Sequence, residues 1–326
     1  MGNRDTMGKK GFAGAIATAI LMSATSFLAG APIPLQTEAG LCLPSPGAWN
    51  IMPPLSWAIN LLLLLGITGS IYILNKNYAF VPGNDMTLPG LLAVMSFSCP
   101  WVAGTLNSST ILLAANTAIL SIAFTCFKQR NATRELFSIA TILSLGTMVQ
   151  YAFIFMIPAY IAIAASLKCL RFKETIAFIL GLVAPYWVGV GLGIIPLSDF
   201  SRPDISGLFS GIEAKRSMLA GLTACAATAL GTLVGGLYNS VKLYAGNSQR
   251  RLYNICFNIL GVLCAVCMVI DFDNMPAYIG TLYLVAAVQF ADIFALHNIR
   301  RRSWWLAGLC TLYAASFIMT EIQFFF

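Results

Sequence analysis

Charge is what this chain has least of. Asp, Glu, Lys and Arg together make up 10% of its 326 residues, against roughly 25% in a soluble globular domain. So little charge cannot clothe a globule of this size in water, which excludes a soluble fold. It also excludes an attached soluble module, because no polar stretch is long enough to hold one. Histidine is nearly missing, with His297 the single example. That removes bis-histidine haem ligation and HExxH metal sites, which need two imidazoles. Walker A, GxGxxG and GxSxG sequences are absent too, and with them the usual phosphate-binding loops and the serine nucleophile elbow. No run of basic residues exceeds Arg300–Arg302, so there is no footprint for nucleic acid. No metal and no cofactor is expected.

What remains is apolar: 58% of residues are hydrophobic and the mean hydropathy is +0.80. The apolar runs are long and continuous, unlike the short alternating strands of a membrane β-barrel. The chain reads as one all-α, polytopic membrane domain over residues 1–326. Eleven runs are candidates to cross the roughly 30 Å of hydrocarbon. They are 12–31, 56–74, 88–103, 109–127, 135–148, 151–167, 174–196, 217–238, 252–270, 276–296 and 304–323.

Basic residues orient these runs, since Lys and Arg in short connections favour the cytoplasmic side. They fall in alternate connections, at Arg4, Lys9 and Lys10, at Lys76, at 128–134, at 168–173, at 242–251 and at 300–302. The exceptions are Arg202, Lys215 and Arg216, offset by Asp199, Asp204 and Glu213. The alternation divides the uncharged stretch Leu136–Leu167 into two crossings with a turn around Gly146–Gln150. A single crossing would put the basic clusters at 128–134 and 168–173 on opposite faces. The N-terminus is then cytoplasmic and the C-terminus outside. The first run also resembles a signal peptide ending at Ala29-Gly30-Ala31, but Pro32 follows directly and disfavours cleavage. An uncleaved first helix is expected. The connection after it holds Pro32, Pro34, Pro44, Pro46, Pro53 and Pro54, which exclude a regular helix. It should lie along the membrane surface or tuck between helices.

Ionisable groups at membrane depth are costly and therefore candidates for function. Asp292, with Gln289 one turn before it, is the foremost. It is either an interfacial carboxylate facing Arg300–Arg302 or a relay. Asp271 and Asp273 read as a solvated outside turn, and the lone His297 as an interfacial side chain. Asn60, Asn116, Gln150 and Asn258 should bond neighbouring helices. Pro185 should kink its helix beside Tyr186, lining a cavity or simply packing. Gly189-x-x-x-Gly193 and Gly231-x-x-x-Gly235 suit close helix contacts. The cysteines, Cys264-Ala-Val-Cys267 included, read as small core hydrophobes.

The middle of the chain carries a resemblance. The basic loop KQRNATRELFSIATIL is followed by an uncharged hairpin and by LRFKETIAFILGLVAPY. Over residues 60–195 this resembles an uncharacterised family of Bacteroidota inner-membrane proteins of about 300 residues, some bearing carotenoid-cleavage names. The resemblance implies a multi-pass protein of a bacterial inner membrane and no particular activity. The carotenoid-cleavage name fails, because such oxygenases use four histidines on iron.

Three functions compete. A non-catalytic subunit or scaffold of the cell envelope, with other membrane subunits as partners, needs only packing surfaces. An enzyme acting on lipid-linked saccharides would place acidic or basic residues in outside loops, and Glu38, Arg202 and Arg216 are the available ones. A transporter or flippase would use broken helices and an intramembrane carboxylate such as Asp292. The lack of chemistry favours the first, with the lipid bilayer as its certain partner.

Overall fold

The protein is described by a computed structural model that covers residues 4–30, 40–82, 86–127, 129, 131–196, 198, 200, 219–243, 248–296 and 302–325. These residues are helical, with no strand among them. The helices are α1 (Arg4–Ala29), α2 (Pro53–Tyr78), α3 (Thr87–Phe97), α4 (Pro100–Ala103), α5 (Ser108–Thr125) and α6 (Thr133–Val149). They continue as α7 (Ala152–Ser166), α8 (Phe172–Gly191), α9 (Leu219–Leu243), α10 (Ser248–Ile270), α11 (Met275–Leu296) and α12 (Arg302–Phe325).

Among the described residues, eight helices are long and apolar enough to cross a membrane: α1, α2, α5 and α8–α12. The runs 88–103, 135–148 and 151–167 are helical but shorter or broken. The run 88–103 is split, because Pro100 offers no N–H to the preceding turn, so α3 ends at Phe97 and α4 restarts at Pro100. A break inside an apolar bundle must find other partners for its carbonyls. Here side chains supply them. Asn60 Nδ2 donates to the Val102 carbonyl at 2.9 Å, Asn107 Nδ2 to those of Trp101 and Thr105, and Ser23 Oγ to that of Ala103.

The turn expected around Gly146–Gln150 falls at Gln150–Tyr151, between α6 and α7. The start of α6 (Leu136, Ile139) lies beside the end of α7 (Ile163, Leu167), so the two form a hairpin. α6 and α8 run parallel, as their pairings advance together. Ser144 Oγ donates to the Leu182 carbonyl, and the Thr147 and Tyr186 hydroxyls bond at 2.6 Å. Gly181 makes this approach possible, since a Cβ there would sit 2.5 Å from the Phe137 carbonyl oxygen. Gly181→Val is therefore expected to cost about 1–3 kcal/mol by overpacking, read as a lowered midpoint of detergent-induced unfolding. An unchanged midpoint would disprove the close approach.

Two of the small-residue motifs separate. Gly231 and Gly235 face Phe290 and Ile293, so α9 packs on α11 through them as expected. Gly189 and Gly193 instead close α8. Gly193 adopts φ +68°, Ile194 N–H donates to the Gly189 carbonyl, and Gly193 N–H to that of Val190. That is a helix C-terminus, not a helix–helix seam.

α11 is the centre of the bundle, with 83% of its membrane-length window buried, whereas α1 and α12 show 17% and lie outermost. The Pro-rich first connection tucks in where it is described. Leu41 N–H donates to the Thr147 carbonyl and Leu43 N–H to that of Met148, at the end of α6.

The bundle has two chemically distinct ends. Arg250 Nε donates to the Phe80 carbonyl, Tyr253 Oη to that of Phe124, and Cys169 Sγ to that of Cys126. These contacts collect the exposed Lys76, Arg134, Lys168, Arg171, Lys173 and Lys242 at one end. The other end, where Ser108 bonds Gln150 and Tyr151 bonds Asp271, carries no exposed cation among the described residues.

Candidate functional site

Arg300 and Arg301, expected near Asp292, lie outside the described residues. The Asp292 carboxylate pairs with Arg250, at the start of α10, and the two side chains are 3% and 16% exposed. Arg250 also bonds the Phe80 carbonyl at 3.0 Å, which fixes the guanidinium from a second side. An unpaired carboxylate at this depth would be costly, and the pair removes both net charges from the apolar interior.

One turn deeper, Gln289 anchors a cluster of amides contributed by α9, α10 and α11. Its Nε2 donates to Asn254 Oδ1 at 3.0 Å and to Asn258 Oδ1 at 2.9 Å. Asn239 Nδ2 donates back to Gln289 Oε1 at 2.7 Å. Ser240 Oγ accepts from both Asn254 and Asn258. Asn258 lies ten residues into α10, which at 1.5 Å per residue puts it about 15 Å from the helix start. The cluster therefore reaches roughly the middle of a 30 Å hydrocarbon layer. Gly236 makes room for it, because a Cβ there would meet Asn258 Oδ1 at 2.3 Å. Asn239 Oδ1 is buried without a partner among the described residues.

Among the described residues, grooves lie between α2 and α5 (about 630 Å³), α7 and α10 (about 430 Å³) and α9 and α11 (about 390 Å³). Their walls are mainly apolar. The hydroxyls of Ser70, Thr117 and Ser121 in the first are bonded to backbone carbonyls of their own helices. Asn258 is the polar residue on the wall of the second, and its amide already belongs to the cluster.

A second buried carboxylate lies at the opposite end. Asp271, expected in a solvated turn, is 2% exposed. Its Oδ1 accepts from Tyr151 Oη at 2.6 Å and Asn274 Nδ2 at 3.0 Å, and its Oδ2 from Tyr278 Oη at 2.8 Å. Asn274 also bonds Tyr151. Burial follows from position: the α10–α11 turn packs onto the α6–α7 turn, which brings Tyr151 over the carboxylate. Among the described residues no three His, Cys, Asp or Glu side chains gather as a metal would require.

Glu38, Arg202, Lys215, Arg216 and His297 lie outside the described residues. Pro185 sits inside α8, which continues past it to Gly191. Tyr186 bonds Thr147 across the α6–α8 contact, and Trp187 is 78% exposed, so this stretch is a packing seam flanked by an outward ring. Tyr186→Phe should cost about 1 kcal/mol, the ordinary worth of one hydrogen bond, as a small drop in unfolding midpoint that Thr147→Val shares without adding to it. The interhelical roles of Asn60, Asn116, Gln150 and Asn258 are as expected, with Asn116 linking Thr281 and Tyr160 at 2.8 and 2.7 Å. Sequence reasoning missed Arg250 as the partner of Asp292, and Asn239, Ser240 and Asn254 around Gln289. The i, i+4 spacing of Asn254 and Asn258 was the available signal.

Compared with known families, with curated proteins and with solved structures, the chain finds no match.

Proposed function

We propose that this chain is a multi-pass protein of a bacterial inner membrane that serves as a non-catalytic subunit or scaffold of the cell envelope. In this reading it crosses eleven times, with the N-terminus cytoplasmic and the C-terminus outside, and belongs with the Bacteroidota family it resembles. The observation that carries the functional part is the closed state of the α9–α11 cluster. Its one carboxylate is matched by an internal guanidinium, its amides bond one another, and the neighbouring grooves are apolar. A coupled transporter needs a carboxylate that water or substrate can reach. The broken α3–α4 run is the feature a transporter would share, but Asn60 and Asn107 occupy its carbonyls. The collection of exposed cations at one end supports the orientation, because such an end faces the cytoplasm.

The test has two parts. Single cysteines placed at Gly47 and at Arg171 in a chain otherwise free of cysteine should label from opposite sides in spheroplasts, with Gly47 reachable from outside. Alanine at Glu38, Arg202, Arg216 and Asp292 should leave envelope phenotype unchanged wherever protein level is restored. A strong loss at any of the first three, at normal protein level, would replace the scaffold with an enzyme acting on lipid-linked saccharides.

A further inference from the structure

We infer that Cys126 and Cys169 form a redox-closable staple joining the two turns that bracket the α6–α7 hairpin. Cys126 caps α5, and Cys169 follows α7 in the turn before α8. They stand 43 positions apart, yet Cys169 Sγ donates to the Cys126 carbonyl oxygen at 3.4 Å, which sets the two cysteines side by side. Exposure is 1% and 4%, and both line one small pocket with Leu136, Tyr160 and Leu167. The other cysteine neighbours differ. Cys264 and Cys267 share a helix, while Cys225 bonds the Tyr283 hydroxyl.

The two thiols are not equivalent. The neighbouring Cys126 holds the Cys169 thiol below its ordinary value. Cys169 is thus the sulfur that attacks first, since the thiolate is the nucleophile. With an azo oxidant such as diamide, the Cys169 thiolate adds to one nitrogen of the N=N bond and the other nitrogen takes a proton. Cys126 sulfur then attacks Cys169 sulfur, the S–N bond breaks and the S–S bond forms. The two electrons and two protons leave on the hydrazine. Under the proposed orientation both thiols sit at the cytoplasmic end, where reducing thiols keep the pair open. Closure is then a response to oxidant, and it locks the α5–α6 turn to the α7–α8 turn.

The full chain in native membranes, treated with diamide, quenched in acid and denatured, is expected to lose two maleimide-reactive thiols and regain both with dithiothreitol. Proteolysis and mass spectrometry should find the peptides bearing residues 126 and 169 joined. Cys126→Ser and Cys169→Ser should each lose none at the same dose, while Cys264→Ser/Cys267→Ser should still lose two. The oxidised wild type should unfold at a higher temperature, reversibly. If either serine variant does not accumulate, the wild-type peptide map decides alone. Peptides pairing either cysteine with a different partner, full retention of both thiols, or an unmoved unfolding temperature would each overturn the staple.

Discussion

Replacing Asp292 with alanine is expected to destabilise the bundle by about 3–5 kcal/mol, the cost of leaving one member of a buried ion pair without its partner. The effect falls on Arg250 rather than on the site of substitution. Its guanidinium, 16% exposed in the wild type, keeps the Phe80 carbonyl as its partner among the described residues. Arg250→Met should cost a similar amount for the mirror reason. The double variant Arg250→Met/Asp292→Leu should regain most of the loss, because well-packed apolar residues can replace a buried pair at little cost. Unfolding titrations of the four proteins in bicelles measure the coupling directly. A double variant as unstable as either single one would show that the ion pair is not what holds α10 to α11. The same set bears on function. A structural pair predicts that the double variant regains its phenotype along with its fold, whereas a relay predicts a stable but inactive protein.

What the sequence made legible was the all-helical, multi-span class and the place of some turns, and the reason is physical. Charge in the connections and apolar length are one-dimensional signals, so the turn near Gln150 and the gathering of cations at one end could be read without contacts. The partners of buried polar groups are three-dimensional. Asp292 and Arg250 are 42 positions apart and Tyr151 and Asp271 are 120 apart, so no local pattern joins them. Asp271 was misread because a charged turn of two acids and a Pro ordinarily faces water, and only the packing of the α6–α7 turn against it removes that water. Gly189 and Gly193 were misread for a similar reason. Their spacing is that of a helix seam, but helix termination at Gly191 converts the second glycine into a left-handed cap.

Asp271 carries the second large effect. Asp271→Leu removes the one buried carboxylate to which Tyr151, Tyr278 and Asn274 all donate, while Asn274 and Tyr151 keep their bond to each other. Each unsatisfied buried donor costs about 1–3 kcal/mol, and partial relaxation brings the expected total to about 3–5 kcal/mol on that basis. Asp271→Asn should cost less, since its amide oxygen still accepts while its NH₂ faces a donor. The loss should also be recoverable by removing the donors. Tyr151→Phe/Tyr278→Phe in the Asp271→Leu background should restore about 2 kcal/mol or more, since no phenol is then left unpaired. In wild type the same double phenylalanine change should destabilise, because it takes two donors from a buried carboxylate. That reversal of sign is the distinguishing result. Were the phenylalanines to destabilise equally in both backgrounds, the tyrosines would be acting through packing alone and Asp271 would not be their common acceptor.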